Sequence, residues 1–131
     1  MAVLEGDAGL PIIELPAEVD TPEAAVRFLI AALIRAGSLP AAVADEVFRQ
    51  VWQREQLGPT AIGRGVAIPH AKVRTAVGSI RMVGRCTRPF NWPGALDGNP
   101  VGMVCLLVVQ EDSPGSLCHE LVRLSRQLRG G

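Results

Sequence analysis

Charge of one sign is the first thing this chain lacks. Lysine plus arginine equals aspartate plus glutamate at 13 each, giving a net charge of zero. A protein that grips nucleic acid carries a basic surplus, so no nucleic-acid partner is expected and any partner must be recognised by a local patch. Cysteine is scarce: Cys86, Cys105 and Cys118 are odd in number and form no CxxC pair, which fits reduced thiols in a cytoplasm rather than a disulfide framework. Only two histidines occur, His70 and His119, and neither belongs to HExxH or another metal-ligand spacing. GxSxG and Walker-type loops are missing, as are internal repeats and low-complexity tracts. The longest apolar run, Val101 to Val109, is the length of a strand and not of a membrane span. The first residues, Met1 to Asp7, lack a basic segment followed by an apolar one, so no signal peptide is expected.

What is present describes a folded domain. Its 131 residues are 48% hydrophobic and 20% charged, a size and composition suited to one core. Residues 1–11 read as a flexible tail, and 12–131 as a single domain in which Ile12 to Leu15 starts a strand. Thr21-Pro22-Glu23 is a helix entry, with a threonine cap, proline at the first helical position and an early acid. Ala25, Phe28, Leu29, Ala32, Leu33 and Ala36 follow helical spacing until Gly37 stops the run. Ser38-Leu39-Pro40 opens a second helix carrying Val43, Val47, Phe48 and Val51, which should end near Gln56.

Beyond it the period changes. Val66-Ala67-Ile68 is a short strand closed by Pro69. Ser79 to Thr87 sets Ile80, Met82 and Gly84 on one face against Arg81, Val83 and Arg85 on the other. Val101 to Val109 is apolar on both faces, as a central covered strand would be. Pro93-Gly94 and Asp97-Gly98-Asn99-Pro100 punctuate the segment between them. Leu117, Leu121, Leu124 and Leu128 form one stripe of a last helix. The order implies an α/β (α+β) sandwich, a mixed sheet of about five strands flanked by helices.

The candidate chemistry gathers around the segment from Thr60 to His70, TAIGRGVAIPH. Gly63 and Gly65 suit a turn or a close backbone approach. Pro69 should end the ladder and deliver His70 at a strand end, on rigid support. Residue pattern alone leaves His70 open between that role and an ordinary loop histidine. His119 lies about 200° from the leucine stripe, near a helix N-terminus where free amides favour an anion; an ordinary exposed helix residue is the other reading. A Cys118–His119 metal pair is disfavoured because adjacent helical residues diverge. Arg54 closes the second helix just before the glycine-rich segment and is either a phosphoryl grip or a solvated helix end. Glu55 reads as a local pairing residue rather than a base.

RE-x4-TAIGRGVAIPHA, from Arg54 to Ala71, resembles the hallmark segment of the phosphotransferase-system enzyme IIA domains of the fructose/mannitol class, which includes the nitrogen-regulatory phosphoproteins. Phe90-Asn91-Trp92 and the Asp97-to-Val101 turn resemble the same family, and the likeness runs from about Ile12 to Leu128. The resemblance implies that His70 is the phosphoryl acceptor, that Arg54 lies near it, and that His119, opening an H-x-x-x-L helix, sits against it. Thr60, Gly63 and Gly65 would help hold phosphoryl oxygens, with no metal and no organic cofactor. The implied partners are an HPr-like phosphocarrier as donor, then either an enzyme IIB domain or a regulatory target. With no IIB or IIC segment attached, regulation is favoured over sugar transport, and a plain interaction module is the alternative of another class. Two features depart from the family: the chain ends at Arg129-Gly130-Gly131, where members usually continue, and Cys118-His119-Glu120 replaces smaller or apolar neighbours.

Overall fold

A computed structural model describes residues 3–5, 11–74, 80–110, 121–123 and 126. Chain order is β1 (Val3–Glu5), β2 (Pro11–Leu15), α1 (Pro22–Arg35), a single 3-10 turn (Ala41–Val43), α2 (Ala44–Leu57), β3 (Ala61–Gly63), β4 (Val66–Ala67), β5 (His70–Val73), β6 (Ile80–Phe90) and β7 (Val101–Gln110). Residues 121–123 and 126 are helical. Among the described residues no helix is long and apolar enough to cross a membrane.

α1 starts and stops for local reasons. Thr21 caps α1, its hydroxyl accepting from Ala24 N–H at 3.1 Å, and Pro22 follows where its missing N–H costs nothing. Gly37, at φ 76, ends the run in the left-handed region. The second helix begins later than Pro40, because the chain first makes the 3-10 turn.

Among the described residues seven strands form one sheet in the order β1-β2-β6-β7-β4-β3, with β5 also pairing β7. The expected number was about five, and two features account for the difference. The segment read as a tail contains β1, antiparallel to β2 through Val3↔Ile13. The strand expected to end at Pro69 resumes: Val66 faces Met103, Ala67 faces Val104 and His70 faces Leu107, a constant offset along β7. Proline removes one N–H without breaking register, since Pro69 O still accepts from Leu107 N–H at 3.0 Å. His70 therefore opens β5, at a strand end as expected, but one that continues the register of β4 across Pro69.

β7 is the central strand, and its two faces belong to two cores. Val104, Leu106 and Val108 join Ile13, Leu15 and Met82 beneath Val26, Leu29 and Leu33 of α1 and Val47 and Val51 of α2. Each such side chain, fully buried, contributes about 1.5–3 kcal/mol. Cys105, Leu107 and Val109 join Ile12, Val66, Ile68 and Val83 on the other face, with Leu121 packed against them. Val83 lies opposite Met82, as its alternation requires, and is buried there. Gly84 is where β2 approaches closely: a Cβ there would lie 2.9 Å from Leu15 side-chain atoms. Cys86 and Cys105 are unbridged, and burial pushes their thiols up to about 11 and about 12.

Candidate functional site

His70 pairs with Leu107, so its side chain leaves the sheet on the face of Val66 and Ile68, opposite the helix-covered core. Only 5% of the residue is exposed. Its Nδ1 lies 2.9 Å from the carbonyl oxygen of Ile68. A carbonyl can only accept, so the hydrogen is on Nδ1 and the lone pair is on Nε2.

α2 packs along β5, and its last turn brings Arg54 beside the histidine. A cavity of about 480 Å³ is lined by Arg54, Pro59, Thr60, Ile62, Ile68, His70, Leu121, Val122 and Arg126. A second, of about 370 Å³, shares Arg54 and His70 and adds Gln50, Gln53, Leu57, Ala71 and Lys72. His70 thus borders two openings, one mostly apolar against the C-terminal helical residues and one along the polar side of α2. Leu57 and Val122 are exposed on the two rims.

Burial holds the His70 ring below its ordinary value of 6.5; the Ile68 hydrogen bond opposes this, Arg54 adds to it, Glu55 opposes it and Lys72 adds to it. The ring is therefore neutral, and its Nε2 nucleophilic, at neutral pH. Because the folded state binds its proton less readily than the unfolded chain, stability falls as pH drops from 6.5 toward the lower folded value. An NMR titration of the His70 ring should give a midpoint below 6.5. A midpoint at or above that value would show that burial and Arg54 do not govern the ring.

Of the residues singled out from sequence, Arg54, Thr60 and His70 line one cavity. Thr60 has its donors engaged: its N–H and hydroxyl both point to the Glu55 carboxylate, the N–H at 3.3 Å from Oε1. Its hydroxyl hydrogen is therefore committed to Glu55. Gly63 and Gly65 do not line either cavity. They form the β3–β4 turn, with φ 97 and φ 76 on either side of Arg64 at φ 57. Three successive left-handed residues are tolerated because two are glycine and because Asp97 Oδ2 accepts the Arg64 N–H at 2.9 Å. The N–H groups of Arg64 and Asn99 hold the Asp97 carboxyl below its usual range. Gly65 O in turn accepts from Gly102 and Met103 N–H at 2.9 and 3.0 Å, tying the turn to the start of β7. His119 and Cys118, with the leucines at 117, 124 and 128, lie outside the described residues.

Sequence reasoning missed Ile62, Lys72, Val122 and Arg126 around the histidine. Arg126 falls four residues beyond Val122, which lines the same cavity, and only the helical period of that segment could have pointed to it. The local pairing expected of Glu55 is present, and it extends to Trp92, whose Nε1–H lies 3.4 Å from Oε2. Among the described residues no three His, Cys, Asp or Glu side chains are grouped so as to hold a metal ion.

A family model described as phosphoenolpyruvate-dependent sugar phosphotransferase system, EIIA 2, matches residues 11–129. A nitrogen regulatory protein of Bradyrhizobium diazoefficiens is 40% identical over 83 residues, which cover 63% of this chain and 54% of that protein. The PTS system 2-O-alpha-mannosyl-D-glycerate-specific EIIABC component of Escherichia coli is 29% identical over 108 residues, 82% of this chain and 16% of its own length. Among solved structures, nitrogen regulatory protein IIA-Ntr from Neisseria meningitidis superposes with a TM-score of 0.74 at 27% identity, covering 90% of this chain and 77% of that one. The chain spans about half the length of the Bradyrhizobium relative.

Proposed function

Because the chain belongs to the EIIA type 2 family of the phosphoenolpyruvate-dependent sugar phosphotransferase system, we propose that it is a phosphocarrier that accepts a phosphoryl group on Nε2 of His70. The observation that carries this reading is the buried imidazole itself, neutral, tied through Nδ1 to Ile68 O and bordering two cavities beside Arg54. The donor is a histidine-phosphorylated carrier of the HPr kind. Nε2 attacks the phosphorus as the carrier's P–N bond breaks, and the carrier's imidazole leaves and takes up a proton. Such transfer asks for positioning and charge stabilisation rather than for a metal or organic cofactor.

Arg54 supplies guanidinium hydrogens to the equatorial oxygens as negative charge gathers there. His119, which the family motif assigns beside the acceptor, is included as a second donor. Thr60 contributes to the wall and to the positioning of the segment. Gly63 and Gly65 shape the turn that leads into it.

The downstream role we propose is regulatory, in the cytoplasm, with phosphorylation of His70 deciding which target protein is bound. Support comes from the similar proteins of Bradyrhizobium and Neisseria, both nitrogen regulatory proteins by name. The sugar-transport reading, onward transfer to an enzyme IIB domain, draws on the similar EIIABC component. Incubation with phosphoenolpyruvate, enzyme I and an HPr-like carrier, followed by intact-protein mass spectrometry, should show an acid-labile gain of one phosphoryl group. No gain with any such carrier overturns the relay and leaves an interaction module. A purified IIB domain added to the phosphorylated protein separates the two downstream roles.

A further inference from the structure

We infer that Glu55 is a positioning residue for His70, acting through Thr60 and Ile68 to hold the imidazole with Nδ1 tied to the main chain and Nε2 available to the cavity. The inference rests on the phosphohistidine reading above, since it assigns a role in that same transfer.

The connection is a series of hydrogen bonds. The Glu55 carboxylate accepts from the N–H and the hydroxyl of Thr60. The carbonyl of Thr60 accepts from Ile68 N–H at 3.0 Å. The carbonyl of Ile68 accepts from His70 Nδ1 at 2.9 Å. Prolines stiffen both ends of this path. Pro59 precedes Thr60, and Pro69 follows Ile68, which holds Ile68 in extended backbone and so fixes where its carbonyl points. Ile68 itself is anchored in the second core, at 2% exposure.

Glu55 is in turn held from the far side. Trp92 Nε1–H reaches Oε2 at 3.4 Å, and the Trp92 ring is buried and stacked on Phe90. All three groups that meet the carboxylate are donors. An ionised carboxylate, which only accepts, satisfies every one of them, whereas an amide would turn an N–H₂ toward a donor. Glu55 follows Arg54 directly on α2, so the same helical turn places the guanidinium and, through Thr60, the ring.

The charge of Glu55 also acts on the ring, opposing the effects of burial, Arg54 and Lys72. Among the described residues the charged groups around His70 are Arg54 and Glu55 from α2, Lys72 from β5 and Arg126 from the C-terminal helical residues.

The test is Glu55→Gln, read by two measurements. Nitrogen-15 NMR of the imidazole reports its tautomer and titration midpoint without any phosphoryl donor. The rate of phosphoryl acceptance from the HPr-like carrier reports the function. The expected result is a mixed tautomer, a titration midpoint below that of the wild type, and a rate lowered about ten- to hundredfold. A folded Glu55→Gln protein with wild-type tautomer and wild-type rate overturns the inference while wild-type labelling still stands. If the wild type takes no phosphoryl group, the functional reading fails and the inference falls with it, whatever the tautomer. Should Glu55→Gln not fold, Thr60→Val and Thr60→Ser decide. Val removes the hydroxyl bond to Glu55 and Ser restores it, so slow transfer in Val with recovery in Ser supports the path. Equal rates in both overturn it.

Discussion

His70→Ala takes up no phosphoryl group under conditions that phosphorylate the wild type completely, and it stays folded. The first half of this expected result follows from the ring: no other described side chain combines a neutral imidazole nitrogen with a place between the two cavities beside Arg54. The second half follows from what holds β5 in place. Its pairing with β7 is made by main-chain groups in register from His70↔Leu107 to Val73↔Gln110, and Pro69 O keeps its bond to Leu107 N–H. None of these needs the imidazole. Truncation removes the Nδ1 bond and leaves a small gap on the second core face, costing about 1–2 kcal/mol. Intact-protein mass spectrometry reads the labelling and thermal denaturation reads the fold. Retained acid-labile labelling in the folded variant would move the phosphoryl site to another residue, and His119 would be the next to test.

The parts of this fold that could be read in the sequence are those governed by neighbours along the chain. Thr21-Pro22 announced α1 because a cap and a first-turn proline act within three residues, and Thr21 does cap Ala24 N–H. The run from Val101 to Val109 announced a central strand because covering both faces leaves no polar position, and both faces are covered. The segment around His70 was legible as a motif but not as geometry. Its break at Pro69 looked like an end because proline cannot donate, yet β7 supplies a continuous template on which the register survives. Alternation places Val83 on the face opposite Met82, but its burial depends on Ile12 and Cys105, far away in sequence.

The site shows the same division. His70 and Arg54 stand in one motif and line the same cavities, but the engagement of Thr60 by Glu55, and of Glu55 by Trp92, could not be seen. The second pairing spans 37 residues, and the Arg64–Asp97 bond that shapes the glycine turn spans 33. Thr60 and the two glycines looked alike as phosphate ligands because all three stand in one motif. In the fold, one is an anchor whose hydroxyl is already bonded, and the other two form a turn braced by a distant aspartate.

Arg54→Ala should lower the rate of phosphoryl acceptance far more than it lowers stability. The guanidinium does two things that can be separated. One Nη1–H donates to Gly58 O at 2.9 Å and secures the chain as it leaves α2. That bond is part-buried and its loss costs about 1 kcal/mol, because α2 is also closed by Gly58 N–H to Glu55 O at 3.1 Å and held by Val47 and Val51 in the core. Arg54 also lines both cavities that His70 lines, and its other donors are the ones we assign to the phosphoryl oxygens. There they would meet the phosphoryl oxygens as P–N bond exchange spreads negative charge over them, and removing one such preorganised donor costs about 10²–10³ in rate. Removing Arg54 also takes away a positive charge that helps to keep the His70 ring neutral, so the midpoint of that ring should rise toward 6.5. This change leaves enough neutral imidazole at pH 7 and cannot explain a hundredfold loss. Arg54→Lys keeps the charge but loses the planar fork, and should fall between the two. Rates measured with saturating carrier, beside denaturant unfolding of each variant, separate the roles. An Arg54→Ala protein that transfers at the wild-type rate would leave Arg54 as a helix-end residue bonded to Gly58, and the charge stabilisation would have to come from Arg126, Lys72 or His119.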